Sequence, residues 1–395
     1  MPLLACCTSY QFVDPRDSRS TKHTNCLWLY GSVHRVAFTL AFLLLTTPPI
    51  EILVTPQRIS VVIPCYNGAR FLEQALTSVR EQTRPVDEVI VVDDGSTDDS
   101  ADIARRAGVR CLSLEENVGP GASRNRGIAA CSGEIIAFLD ADDYWMPAHI
   151  GDMTALLELF PQSSVAFSRI LRFGDDDRVS PEQLPEGPPI NIFWRLIEEN
   201  IVAQSSAVVR REALLRVGGY NTSFRFSEDY DLWLRLARRY LFVCTNGVTA
   251  GYRVHPSQAS RNLTDMLHGR WQVKHQFWLD ARANDSPAFV KQLEAQMLIA
   301  WEDGLRSAWW DRNDVQLRAA LEVHVLVPGS AKTYRRWMRR LRYAWKPWLG
   351  LADVWEQLSP PVRRVLRPAL DYRFGSSGAR APLPDYLPPP YDEVN

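Results

Sequence analysis

Asp140-Ala141-Asp142-Asp143 puts three carboxylates into four consecutive residues. Like charges this close repel, and a hard divalent cation relieves the repulsion while gripping a diphosphate. An EF-hand is excluded, because Trp145 stands at the sixth position, where that loop needs glycine. Taken alone, the stretch also reads as a solvated turn ahead of Met146-Pro147. A second acidic stretch runs from Asp93 to Asp99. A carboxylate there can accept hydrogen bonds from a base edge or from ribose hydroxyls, but its own charge makes it a poor phosphate cradle. The plainer reading is a βα turn, sharpened by Gly95, with Ser96 or Thr97 capping the next helix.

Two further stretches carry chemistry. Gly119-Pro120-Gly121-Ala122-Ser123-Arg124-Asn125-Arg126-Gly127 brings arginines to a helix start, which suits an anion by charge and by free amides. The alternative is a surface helix with solvated arginines. Ser227-Glu228-Asp229-Tyr230-Asp231 offers a proton acceptor, or acids that merely complement a helix dipole below an N-cap at Ser227.

These groups need a scaffold, and the chain supplies one from Arg58 onward. Ile59–Ile63 (ISVVI), Glu88–Val92 (EVIVV), Arg110–Leu114 and Glu134–Leu139 (EIIAFL) read as short apolar strands. Between them, Phe71, Leu72, Ala75, Leu76 and Val79 recur at helical spacing, a second helix runs through Ile103 and Ala104, and a third spans Gly121–Cys131. Continuous apolar strands alternating with helices predict an α/β fold with a parallel sheet covered on both faces. Ligands of such sheets sit beyond the carboxyl ends of the strands. Those ends carry Pro64-Cys65-Tyr66-Asn67, the Asp93–Asp99 stretch and the Asp140 turn, so three polar loops converge on one edge. Ser205–Val209 reads as a further strand, Ser227–Arg239 as an amphipathic helix, and residues 265–325 as helical.

Composition bounds the reading. The 395 residues are 46% hydrophobic and 23% charged with a formal net charge of −1, which suits a globular enzyme and gives no sign of a nucleic acid partner. Seven cysteines, without C-x-x-C or a Cys/His cluster at zinc spacing, fit a reducing compartment. No G-x-G-x-x-G follows the first strand and no Walker A occurs, which weakens dinucleotide and P-loop readings.

In order and spacing, ISVVIPCYNG (59–68), VIVVDDGSTDDS (89–100), ENVGPGASRNRGI (116–128), GEIIAFLDADDYWMP (133–147), GGYNTSFRFSEDYDLWLRL (218–236) and YRVHPSQAS (252–260) resemble the inverting glycosyltransferase family 2. The resemblance covers residues 58–260 and implies a GT-A fold and transfer from a nucleotide-diphosphate sugar. It implies that Pro64, Tyr66 and Asn67 lie against the base, that Asp94 reads the base edge, and that Arg124 and Asn125 face the nucleotide. Asp140 and Asp142 match the D-x-D motif, with Asp142 the direct ligand of Mn²⁺ or Mg²⁺ and His255 beside the diphosphate as a looser match. Asp229 matches the catalytic base, with Glu228 adjacent. The Q-x-x-R-W motif of processive members is absent, which implies single transfer to a carbohydrate or lipid-linked acceptor. A nucleotide-sugar binding protein would not need Glu228-Asp229. A nucleotidyltransferase would want a Gly-rich, basic first loop, and a membrane-bound scaffold would leave the acidic loops unexplained.

Flanking segments complete the expectation. Residues 1–57 mix Cys, Pro, Thr and Ser without periodicity and read as a disordered leader, a weak anchor or a mis-called start. Their apolar run, Val36–Thr46, is about half of the ~20 residues that a membrane-spanning helix needs. A helical extension is expected over 261–331 and a disordered Pro-rich tail over 374–395. Residues 332–373 hold eleven Lys or Arg against three Asp or Glu, interleaved with Trp337, Trp345, Trp348 and Trp355. That pattern suits peripheral contact with the anionic inner face of a membrane by a cytoplasmic enzyme, or a basic helix whose tryptophans pack on residues 265–325.

Overall fold

The computed structural model describes residues 57–344, apart from 175–177, 180–183, 185–186, 257, 259–261 and 312. The expected leader up to residue 56, Trp345, Trp348, Trp355 and the Pro-rich tail lie outside the described residues.

The first half alternates strand and helix: β1 (Ile59–Cys65), α1 (Ala69–Arg80), β2 (Glu88–Asp93), α2 (Ser100–Arg106), β3 (Arg110–Ser113), α3 (Pro120–Ala130) and β4 (Ile135–Phe138). There follow β5 (Tyr144–Trp145), α4 (His149–Leu159), β6 (Ser163–Gly174), β7 (Arg178–Val179), α5 (Phe193–Glu198), β8 (Ala207–Arg210), α6 (Arg211–Arg216), α7 (Glu228–Ala237) and β9 (Leu241–Val254). Helices α8 (Leu263–Asn284), α9 (Pro287–Trp310), α10 (Asp314–Glu322) and α11 (Ala331–Ala344) form a helical C-terminal region.

The strands form one sheet in the order β3-β2-β1-β4-β8-β6-β9-β5, with β7 beside β6. The expected parallel pairing holds across β3, β2, β1 and β4. It fails beyond, because β8 runs antiparallel to both β4 and β6. The sheet is therefore mixed. An apolar strand buried on both faces carries no mark of its direction. The strand expected at Ser205 starts later, since Gln204–Ser206 forms a 3₁₀ turn.

Period-two alternation explains the unbroken apolar runs. Val62, Ile90, Val92, Ile136 and Phe138 face a core shared with α3, α5 and α7. Ile59, Val61, Ile63, Ile135 and Ala137 face the opposite core, beneath α1 and α4. Side chains of Asn262, Ser286 and Asn313 cap α8, α9 and α10. Trp301 anchors this helical region, donating from Nε1 to the carbonyl of Ala320 at 2.6 Å while fully buried. Trp337 of α11 is buried too, edge-on to Trp309 with centroids 6.1 Å apart. Trp337 thus belongs to the core, whereas Lys332, Arg335, Arg336 and Arg339 point outward. Among the described residues no helix is long and apolar enough to cross a membrane.

Candidate active site

The first two loops are joined to each other. Asn67, in the left-handed region at φ 50°, donates its amide N–H to Ser96 Oγ, and its Oδ1 accepts from the Thr97 amide at 2.8 Å. Asparagine tolerates that conformation better than most residues. Gly68 N donates to Ser100 Oγ and Ala69 N to Asp98 Oδ2. Ser96 and Thr97 therefore tie the loops together and do not cap α2, whose N-cap residue is Asp99. Asp94 is buried, and its two carboxylate oxygens accept the amides of Val118 and Gly119 at 2.9 Å each.

The three acids after β4 point three ways. Asp143 is buried, accepting from Ser205 Oγ at 2.6 Å and from the Arg253 amide at 2.8 Å, so its role is structural. Asp140 receives Arg124 at 2.7 Å. Asp142 meets His255 Nε2 at 2.9 Å. Burial, and then the charge of Asp140, hold the Asp142 carboxyl above the usual carboxylate range. Arg253 braces the turn from behind, donating to the Asp142 carbonyl while its guanidinium lies 4.4 Å from the ring centres of both Phe71 and Phe173.

Arg124, expected to face the nucleotide, lines the cavity and is held between two acids, Asp140 and Glu228, each 2.7 Å away. Close approach needs Gly121, where a Cβ would stand 3.2 Å from Glu228 Cγ. Asn125 has a different occupation from the expected one. Its amide clamps the backbone of Tyr220, donating to the carbonyl and accepting from the N–H at 2.8 Å each. One helix position separates the two side chains, so they leave α3 in different directions.

Ser227 does not cap α7. It sits in the left-handed region at φ 63°, and among the described residues its buried Oγ has no hydrogen-bond partner. Such a conformation costs a non-glycine residue of order 1–3 kcal/mol. It directly precedes Glu228 and Asp229. Glu228 is engaged by Arg124, while among the described residues Asp229 keeps one oxygen for its neighbour's amide and has only a long 3.4 Å contact from Asn200 on the other. Burial, and next the Glu228 charge, push the Asp229 carboxyl up to about 6, against the opposing pull of Arg124.

A cavity of about 1070 Å³ joins these parts, lined by Tyr66, Asp94, Arg124, Asp142, Asp229 and His255 among others. Among the described residues no three His, Cys, Asp or Glu side chains are grouped to hold a metal ion. Asp142 and His255 nonetheless offer an oxygen and a nitrogen within 2.9 Å of each other. That fits Mn²⁺ or Mg²⁺, which are commonly bound by one or two protein ligands plus phosphates and water.

The family model Glycosyl transferase family 2 matches residues 60–218, and Glycosyltransferase like family 2 matches residues 190–284. The chain is 31% identical over 233 residues to the succinoglycan biosynthesis protein ExoU of Rhizobium meliloti, covering 53% of this chain and 67% of that one. It is 30% identical over 210 residues to the Escherichia coli UDP-Glc:alpha-D-GlcNAc-diphosphoundecaprenol beta-1,3-glucosyltransferase WfaP, covering 52% and 80%. The chain belongs to glycosyltransferase family 2. Its fold is also that of Staphylococcus aureus TarS 1-349, solved in complex with UDP-GlcNAc (TM-score 0.54, 20% identity, covering 69% of this chain and 82% of that one).

The glycosyltransferase site also holds residues that the motifs did not single out. Ser205 binds Asp143 and the Asp140 amide, and Asn200 reaches Asp229. Neither has a sequence signal. Arg253 lies inside YRVHPSQAS, two residues before His255, so a strand alternation would have paired them on one face.

Proposed function

We propose that this glycosyltransferase moves a sugar from a nucleotide-diphosphate donor to an acceptor hydroxyl with inversion. The observation that carries this reading is the single cavity shared by the stitched donor loops, the Asp142–His255 pair and Asp229. The half-exposed Tyr66 ring stacks on the base, beside Pro64 and Asn67, and Asp94 shapes the pocket for the base edge. Asp229 takes the proton from the acceptor hydroxyl. The oxygen then attacks the anomeric carbon from the face opposite the diphosphate, whose C–O bond breaks with its electron pair leaving on the phosphate. Glu228 and Arg124 position that base. Asp142, with His255 and Asp140 beside it, would hold Mn²⁺ or Mg²⁺, which when bound supplies positive charge to the departing diphosphate.

The acceptor in this reading is a lipid-linked sugar, supported by the chemistry named for WfaP. The exposed cations of α11 suit peripheral contact with an anionic cytoplasmic membrane face. Incubation with UDP-, GDP- and dTDP-sugars, with Mn²⁺ or with a chelator, tests the donor side. Release of nucleoside diphosphate only with metal is expected. No release from any donor, with any metal, would overturn it.

A further inference from the structure

One wall of the cavity comes from the helical C-terminal region. Leu263, Met266, Leu267 and Arg270 all line it from α8. They stand at i, i+3, i+4 and i+7, which is one face of a helix. This face is apolar for its first turn and ends in a cation. Leu263 is 42% exposed, so the apolar stripe runs outward from the cleft. Its length from Arg270 is roughly 10 Å, at ~1.5 Å rise per residue.

Arg270 is held differently from Arg124 and Arg253. Arg124 is paired with two acids and Arg253 is held by carbonyl, amide and rings. Among the described residues Arg270 forms neither hydrogen bond nor ion pair; it acts on Asp229 through space alone. A half-buried guanidinium without an anion is poorly solvated, and its planar fork matches phosphate oxygens two at a time. The base must touch the acceptor, so groups beside Asp229 on the α8 side meet the acceptor and not the nucleotide.

We propose that this face of α8 is the acceptor subsite: Arg270 binds the diphosphate of a lipid-linked acceptor, and Leu267, Met266 and Leu263 carry its lipid chain out of the cleft. The inference rests on the transferase reading and adds to it the residues that select the acceptor. A neutral oligosaccharide would leave Arg270 unpaired and would gain nothing from an outward apolar stripe.

Calorimetry on the full chain tests it, with Mn²⁺ present throughout. UDP, GDP and dTDP are titrated first, and this step alone reports on the donor reading. With the best nucleotide saturating, so that the donor diphosphate position is filled, farnesyl diphosphate, farnesol and inorganic diphosphate are titrated in turn. Farnesyl diphosphate should bind at least about 10-fold more tightly than either fragment. Arg270→Ala should weaken it by about 10- to 100-fold, the range of a charge-assisted bidentate contact, with Arg270→Gln as a second variant of closer size. Met266→Ser should weaken farnesyl diphosphate several-fold and leave inorganic diphosphate as in the wild type. Lys291→Ala, an exposed cation on α9, should change nothing. Unchanged affinity in both Arg270 variants overturns the proposal, as does equal loss in Lys291→Ala. Inorganic diphosphate binding as tightly as the prenyl compound would reduce the site to a small-anion site and also overturns it.

Discussion

Asp142 and His255 lie 113 positions apart in the chain and stand 2.9 Å from each other in the cleft. β9 makes the meeting possible, because it pairs with β5, directly after the acidic turn, and places His255 just past its own end.

Asp142→Ala should therefore abolish metal-dependent turnover while the melting temperature holds or rises slightly, since the substitution removes a carboxylate already disfavoured by burial and by Asp140. His255→Ala should raise the metal concentration for half-maximal rate by roughly tenfold, about 1.4 kcal/mol. Near-wild-type rates without metal in either variant would refute the ligand assignment.

Asp229→Asn should lower kcat by at least ~100-fold with donor affinity nearly unchanged. In the wild type, kcat/KM should fall tenfold per pH unit on the acidic side of about 6, because the base must be ionised and its carboxyl is raised to that value. A flat profile between about pH 5 and about pH 7, one unit either side of that value, would remove Asp229 from the role.

Glu228→Gln should move that acid limb to lower pH, since Glu228's charge is what raises Asp229 after burial, while Arg124 keeps its opposing pull. Arg124→Ala should cost roughly 3–5 kcal/mol of stability, the range for breaking a buried pair, because Glu228 and Asp140 lose their counter-charge together. Denaturant titration reads the second and pH-rate profiles the first.

Gly269→Ala should damage catalysis from outside the cavity. A Cβ there would lie 2.9 Å from Phe226 Cβ and 3.0 Å from the Phe226 carbonyl, against the turn that presents Ser227, Glu228 and Asp229. A loss of about 1–3 kcal/mol is expected from the overpacking, together with a kcat lowered about tenfold at unchanged donor affinity. Normal kcat would show that α8 does not steady the turn.

The parallel half of the sheet was legible because ISVVI and EVIVV are apolar on both faces and alternate with helices, as the strands of a covered parallel sheet do. β8 offered the same kind of run, and its antiparallel direction was not legible, since AVVR looks alike in either direction. Asp140, Asp142 and Asp229 were legible as types and spacing. What their neighbours do was not: Asn125 answers to Tyr220 and Arg124 to Glu228, partners 95 and 104 residues away. Ser227 gave no warning of its left-handed backbone, since no glycine marks the place. Residues 263–270 read as helix, but a stripe of Leu, Met and Leu looks the same whether it meets a core or a substrate.

The bonds between the Asn67 loop and the Ser96–Ser100 loop have a thermodynamic consequence. Both loops hold their shape through contacts to one another, so an arriving nucleotide finds a surface already made and gives up little chain entropy on its behalf. Cutting one stitch, as in Ser96→Ala, shifts that ordering onto the ligand. The same base and ribose contacts would then form with weaker affinity and a more unfavourable entropy, although nothing that touches the phosphates had changed.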